Sequence, residues 1–186
     1  GGGLARPCGP RATVCRERPT QAATRNPRAG GGVTLSSEAD GRSRLRIRGA
    51  SSGQGDWRQA GRRRLGFWLG EDRPVSQALH QMLTRRQAAL YIRLAGEAER
   101  QPLDGWFSPG GFDPEDRLWP QAESAFSGYQ LLLEYFTFPE KFNFVRLNGL
   151  QALTLPEGLT GFDIEVVFSA QWPDDLPLAE DALRLH

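Results

Sequence analysis

Cysteine is almost missing from this sequence, and the little present builds nothing. Cys8 and Cys15 are the only two in 186 residues. Both lie in a Gly-, Pro- and Arg-rich head, and their spacing fits no metal or redox motif. A disulfide framework is therefore not expected, and the chain reads as a soluble protein of a reducing compartment. Long apolar runs are absent too. No window holds about 18 consecutive apolar residues, which argues against a membrane-spanning helix, and the Gly-rich start has no apolar segment of the kind a secretory signal needs. Histidine is limited to His80 and the terminal His186. Neither has a second ligand at metal spacing, so no metal site and no cofactor is expected. Zinc-protease, nucleophile-elbow, phosphate-loop and dinucleotide-binding motifs are all missing, and no nucleophile faces a base. The chain is expected not to be an enzyme.

Charge is present but unevenly spent. Residues 1–60 carry eleven arginines and four acids, a net of +7, whereas residues 61–186 carry twelve basic and eighteen acidic groups, a net of −6. A basic segment can attract nucleic acid or anionic lipid. Here all basic residues but Lys141 are arginine, the signature of a GC-rich coding bias, and no nucleic-acid role is assigned. Residues 1–42 are expected to be a low-complexity head, either disordered or of non-native reading frame, because scattered Val14, Val33 and Leu35 cannot offset the entropy of ordering.

From Ser43 the pattern becomes periodic. Arg44-Leu45-Arg46-Ile47-Arg48 alternates, which predicts a half-exposed strand with Leu45 and Ile47 inward and the arginines on a solvated face. Leu65, Phe67 and Leu69 repeat that pattern. Val75, Leu79, Met82 and Leu83 have helical spacing, with Asp72 as a cap and Pro74 in the first turn. Leu90, Ile92 and Leu94 then predict a strand. A long loop over residues 97–121 carries Leu103, Trp106, Phe107, Phe112, Leu118 and Trp119, which are expected to pack down on the fold. Gly110-Gly111 reads as a turn, and Asp113, Glu115 and Asp116, like Asp163 and Glu165, as ordinary surface acids. Phe162, Ile164, Val166 and Phe168 give the clearest strand. The closing LPLAEDALRLH begins another element without a terminator, which suggests a truncated chain.

The densest apolar stretch is Ser124–Leu150, with seven aromatic residues around one Pro-Glu-Lys turn. Ala122, Ala125, Phe126, Tyr129, Leu132, Leu133 and Phe136 recur at three or four residues and predict a helix whose stripe faces a core. Pro139 forbids continuation, since its ring removes a donor and clashes with the preceding turn. Phe142, Phe144, Val145 and Leu147 then suggest a strand ending at Asn148-Gly149. Glu140 and Lys141 form a possible exposed ion pair, worth at most about 1 kcal/mol. Burial of Phe136, Phe138, Phe142 and Phe144 is expected to matter more, at roughly 1.5 to 3 kcal/mol each. On this basis Leu132→Asp or Phe142→Asp should unfold the module. The fold class that follows is α+β, mainly antiparallel strands with two amphipathic helices.

The segment GYQLLLEYFTFPEKFNFVRLNGL resembles the part of the TssF (VasA, ImpG) baseplate subunits of bacterial type VI secretion systems in which a helix runs into a YFxFPEKFxFxxLxGL pattern. RRLGFWLGED and GGFDPEDRLWP are similar to that family in the same order. The residues that carry the motif are Tyr135, Phe136, Phe138, Pro139, Glu140, Lys141, Phe142, Phe144, Leu147, Gly149 and Leu150. The resemblance covers about residues 43–186 and implies a fragment of a larger multidomain protein. It also implies a structural subunit of the cytoplasmic baseplate wedge at the inner face of the inner membrane, a hetero-oligomer with TssG-like and TssK-like subunits and a second TssF copy. No catalytic residue, cofactor, nucleic acid or direct membrane insertion is implied. The alternative is a free-standing module that holds carbohydrate or nucleic acid through Trp57, Trp68, Trp106 and Trp119.

Overall fold

Two runs of period-two alternation in β2 and β8, joined through their neighbours, account for most of the architecture. The computed structural model describes residues 31–50, 64–119, 126–156 and 159–185. Among these, the elements in chain order are β1 (Val33–Ser37), β2 (Ser43–Ala50), β3 (Leu65–Trp68), α1 (Arg73–Arg85), β4 (Gln87–Leu94), β5 (Gln101–Pro102), β6 (Trp106–Pro109), α2 (Ser127–Thr137), β7 (Phe144–Asn148), β8 (Gly161–Phe168) and β9 (Arg184–Leu185). They form a five-stranded sheet of order β1-β2-β8-β4-β5 and a four-stranded sheet of order β6-β7-β3-β9. Every pairing is antiparallel. The α+β class with mainly antiparallel strands and two helices is what the structure shows.

Register explains the first sheet. Leu45 and Leu90 both stand opposite Val166, and Ile47 and Ile92 both stand opposite Ile164, so two apolar rows cross three strands on one face. All six of these side chains are buried. A shift of one residue would carry every one of them to the other face, so the register is tightly specified. The intervening rows place Arg46 and Tyr91 opposite Glu165, and Arg48 and Arg93 opposite Asp163. Cross-strand pairs of opposite charge stabilise a sheet face.

α1 closes the core from one side. Asp72 accepts the Val75 N–H at 3.2 Å, Pro74 sits in the first turn, and Val75, Leu79, Met82 and Leu83 are buried. The helix packs on β6 and β7 and touches β4 and β8. One continuous apolar cluster thus joins both sheets and α1.

Several expectations change. Order is not confined to residues after Ser43: Val33–Ser37 pairs with β2, from Val33 opposite Ile47 to Ser37 opposite Ser43, and buries Val33. Short alternation in a Gly-rich context hid this strand. Residues 1–30, with both cysteines, and residues 51–63, with Trp57, lie outside the described residues. The long loop contains β5, β6 and a 3-10 turn at Pro114–Asp116. Of its apolar residues Leu103 and Phe107 pack inward, while Trp106, Phe112, Leu118 and Trp119 stay largely exposed. The closing segment supplies β9, where Leu185 pairs with Phe67 and Arg184 with Trp68.

Candidate protein-interaction surface

The aromatic stretch folds as helix, turn, strand, but its sides are reversed from expectation. α2 ends where Pro139 requires it: the Phe138 N–H still donates to the Glu134 carbonyl at 2.7 Å, and the chain then enters a 3-10 turn at Pro139–Phe142. β7 starts only at Phe144. Val145 and Leu147 point into the core, so Phe144 lies on the other face of the strand, and Phe142 belongs to the turn. Gly149 stops the strand with φ at +92°, a left-handed conformation in which a Cβ would also lie 2.4 Å from the Asp104 carbonyl oxygen. Leu150 is buried behind it.

Glu134 is the one buried residue of α2. Its carboxylate accepts the Leu118 N–H at 3.1 Å, the Gln130 side-chain amide at 3.1 Å and the Lys141 ammonium. Lys141 therefore pairs with Glu134 and not with its neighbour Glu140, and the pair is buried, with side-chain exposures of 10% and 1%. Burial opposes the charged carboxylate. The hydrogen bonds from Lys141, Leu118 and Gln130 outweigh it and hold Glu134 below the usual glutamate range. Gln130 also donates to the Trp119 carbonyl at 2.7 Å. The polar side of α2 is thereby fastened to the loop before it.

The apolar side faces out. Phe126 is 72% exposed, Tyr129 76%, Leu132 57%, Leu133 58% and Phe136 78%. Tyr129, Leu132, Leu133 and Phe136 share one face of the helix, with Phe126 at its N-cap set edge-on to Tyr129 at 6.2 Å; these are the described members of the stripe that helical spacing assigns to a core, Ala122 and Ala125 lying outside the described residues. The structure overturns that assignment. The physical reason lies in Glu134: a carboxylate with three internal donors fixes which side of the helix faces the protein. Tyr135 and Phe138 are also more than two-fifths exposed. Tyr135 leans on Phe136 and Phe142 with ring centroids 5.6 and 5.4 Å apart, and Phe138 on Trp119 at 5.8 Å. Phe142 alone of the four phenylalanines around the turn is buried, against Phe112 at 5.0 Å.

The three sequence segments singled out above converge here. Gly110 and Gly111 are more than a turn, because a Cβ on them would meet Phe144 Cβ at 2.8 Å and the Lys141 carbonyl oxygen at 2.6 Å. Asp113 and Asp116 are not free surface acids: both hold Arg146 of β7, Asp113 also takes Arg64 at 2.6 Å, and Asp116 accepts the Gly111 N–H at 3.0 Å. The end of β3 is tied in by the Leu69 N–H donating to the Asn143 carbonyl at 2.9 Å. A cleft of about 590 Å³ lies between these segments and α1, lined by Trp68, Phe112, Tyr135, Phe142, Arg73 and His80 among others. His80 is held below its ordinary pKa by partial burial and then by the charge of Arg85.

On the first sheet, Glu165 is likewise no ordinary surface acid. It is 4% exposed and accepts Arg44 at 3.1 Å, Arg46 at 2.6 Å and Arg100. Burial would raise its pKa, but the bonds and charges of Arg46 and Arg100 keep it low. Asp163 takes Arg48 and Arg93. Sequence reasoning missed both buried glutamates. The available signal for Glu134 was a lone charge inside an otherwise uncharged helix. For Glu165 it was two alternating arginines on a neighbouring strand of the same period.

Among the described residues no group of three metal-ligating side chains occurs, and no helix is long and apolar enough to cross a membrane. Trp68 lines the cleft, Trp106 stands on β6, Trp119 meets Phe138 at a tilted angle and Trp172 is buried in the core, so the four described tryptophans sit in separate settings.

Comparison with known proteins places this arrangement. The family described as "Type VI secretion system, TssF" matches residues 16–186. The type VI secretion system component TssF1 of Pseudomonas aeruginosa is 40% identical over 74 residues, 39% of this chain and 12% of that protein. A chain in the cryo-electron microscopy structure of the type VI secretion system TssK-TssF-TssG baseplate subcomplex superposes with a TM-score of 0.75 at 59% identity, covering 85% of this chain and 30% of that one. The chain thus spans less than a third of the length of these relatives.

Proposed function

We propose that this chain, which belongs to the TssF family of the type VI secretion system, is a structural part of the cytoplasmic baseplate, where it joins TssK-like and TssG-like subunits and a second TssF copy. One observation carries this proposal: the fold at 59% identity recurs within a TssK-TssF-TssG baseplate subcomplex. The outward apolar stripe of α2 fits a protein that works by being covered. Large exposed apolar patches mark interaction sites, and the five stripe residues are each more than half exposed.

The role is non-catalytic. Its buried ionisable groups are consumed in holding segments together, Glu134 with Lys141 and Glu165 with arginines. The site lies at the inner face of the inner membrane without inserting into it. The residues of the aromatic motif, from Tyr135 to Leu150, act as a structural corner: Phe142, Leu147 and Leu150 are buried, Gly149 supplies the left-handed turn, and Tyr135 and Phe136 present the outer surface.

Co-expression of the chain with the TssK and TssG subunits of its own gene cluster tests the proposal. A stoichiometric complex that survives size-exclusion chromatography is expected. Recovery of the three proteins as separate species, under conditions in which another TssK-TssF-TssG set co-elutes, refutes it.

A further inference from the structure

α2 is fastened to the body of the protein without being packed into it. The apolar cluster that joins both sheets and α1 holds no residue of α2, and Glu134 is the one residue of the helix that is buried. Between the helix and the loop before it lies a space of about 130 Å³, lined by Ser127, Leu131 and Glu134 on the helix and by Gly111 and Asp113 on the loop. Most helices are held by packing of an apolar face. Here the attachment falls to polar bonds, those of Glu134 with Leu118 and Lys141 and that of Gln130 with the Trp119 carbonyl. These bonds hold only while the loop keeps its place. Phe112 leans on Phe142, but Phe112, Leu118 and Trp119 are all exposed, and the loop is pinned chiefly by charge. Arg146 reaches Asp113 through one terminal nitrogen and Asp116 through the other, and Asp116 accepts the Gly111 N–H at 3.0 Å. The second cation on Asp113, Arg64, is 54% exposed, and exposed pairs contribute little. Arg146 stands on firm ground, since Val145 and Leu147 beside it are fully buried and β7 is paired on both sides.

We infer that α2 and residues 111–119 form one releasable arm, turning at Phe138–Pro139, and that Arg146, whose bonds go to the loop and not to the helix, is the latch that positions it. The connection runs in series. Arg146 holds Asp113 and Asp116, these place the Leu118 N–H and the Trp119 carbonyl, and those in turn hold Glu134 and Gln130. The Glu134–Lys141 pair spans the turn itself. Residues at the ends of elements are where such a change of direction is absorbed. Once released, a helix of eleven residues is marginal in water, so opening of the arm exposes its amides while both sheets and α1 stay packed. The direction in which the aromatic stripe is displayed is thereby set from the second sheet, by a residue that is no part of the stripe. The inference rests on the baseplate proposal above for what the stripe meets, and the latch itself is a property of the free chain.

Hydrogen exchange of the whole free chain, followed by mass spectrometry at several urea concentrations, tests the arm and its latch. In the wild type the amides of residues 131–138 should exchange through an opening with a weaker urea dependence than that of β8, because the arm exposes less surface than global unfolding. Arg146→Gln should speed their exchange about tenfold or more, since two aspartates lose their shared cation. Arg146→Lys keeps the charge without the two-pronged geometry and should fall between. Glu134→Gln should also speed α2, and the double variant Glu134→Gln with Arg146→Gln should fall well short of the product of the two effects, as groups acting in series do. Ile164→Val, in a sheet that stays folded when the arm opens, should speed exchange in β8 roughly threefold and leave α2 unchanged. The latch is overturned if α2 exchanges in step with β8, if Arg146→Gln leaves α2 unchanged, or if the double variant shows the full product. Should Arg146→Gln not fold, Asp116→Asn, which removes one of the two partners, takes its place, and the wild-type and Ile164→Val measurements still decide whether the arm exists. Exchange of α2 in step with β8 leaves the baseplate proposal standing. Failure to form the complex with TssK and TssG overturns the baseplate proposal and leaves the latch.

Discussion

A glutamate and a lysine seven positions apart decide how the aromatic stretch is used. Glu134 has a side-chain exposure of 1% and Lys141 of 10%, and removing one member of such a pair leaves the other charge buried. Glu134→Gln should therefore destabilise the fold by about 2 kcal/mol, measured by urea denaturation, because the lysine loses its counter-charge while the amide keeps part of the hydrogen bonding. The pH dependence follows in sign. Both Glu134 and Glu165 have folded pKa values lowered by their partners, so the stabilisation is present above the ordinary glutamate value, about 4.3, and disappears as pH falls through the folded values. Stability should decline on acidification below about pH 4, and Glu134→Gln should flatten that decline. Gly111 offers a second test at this scale. With φ at +85° and a would-be Cβ 2.6 Å from the Lys141 carbonyl oxygen, Gly111→Ala should cost more than about 1 kcal/mol and lower the melting temperature.

Elements show where sequence pattern suffices and where it stops. Strands β2, β4 and β8 were legible because period two fixes the inward set and the partner strands share it, as in Leu45, Val166 and Leu90 across one row. α1 was legible from Asp72, Pro74 and four apolar residues at helical spacing. α2 was legible as a helix but not in its orientation. Periodicity measures that a stripe exists; it does not say whether the stripe meets the chain's own core or another protein's surface. The direction came from Glu134, whose partners Leu118 and Lys141 lie sixteen and seven residues away in the flanking segments, and a lone glutamate in an uncharged helix does not by itself say which groups it meets. β1 was missed for a related reason, since its pairing with β2 sets its structure more than its own composition does. The consequence is testable. Leu132→Asp, at a residue 57% exposed, should change the melting free energy of the monomer by no more than about 0.5 kcal/mol. Phe142→Ala, at a residue 9% exposed, should cost about 3 kcal/mol in the same experiment.

At the scale of the whole molecule, the two sheets and α1 form one core, and the corner built from GGFDPED, FPEKF and the end of β3 carries α2 on its outside. The family resemblance rests on the segments that make this corner, which have structural reasons to be as they are: Gly110 and Gly111 for close approach, Pro139 to end the helix, Phe142 to fill the turn, Gly149 to leave the strand. A corner that displays an exposed apolar helix suits the assembly role proposed above. Hydroxyl-radical footprinting of the chain, free and mixed with the TssK and TssG subunits proposed as its partners, tests that claim most directly. Tyr129, Leu133 and Phe136 should react readily in the free protein and become strongly protected in the assembly, while buried Phe142 and Phe168 stay unreactive in both. Equal reactivity of the α2 stripe in the free and assembled states would contradict it.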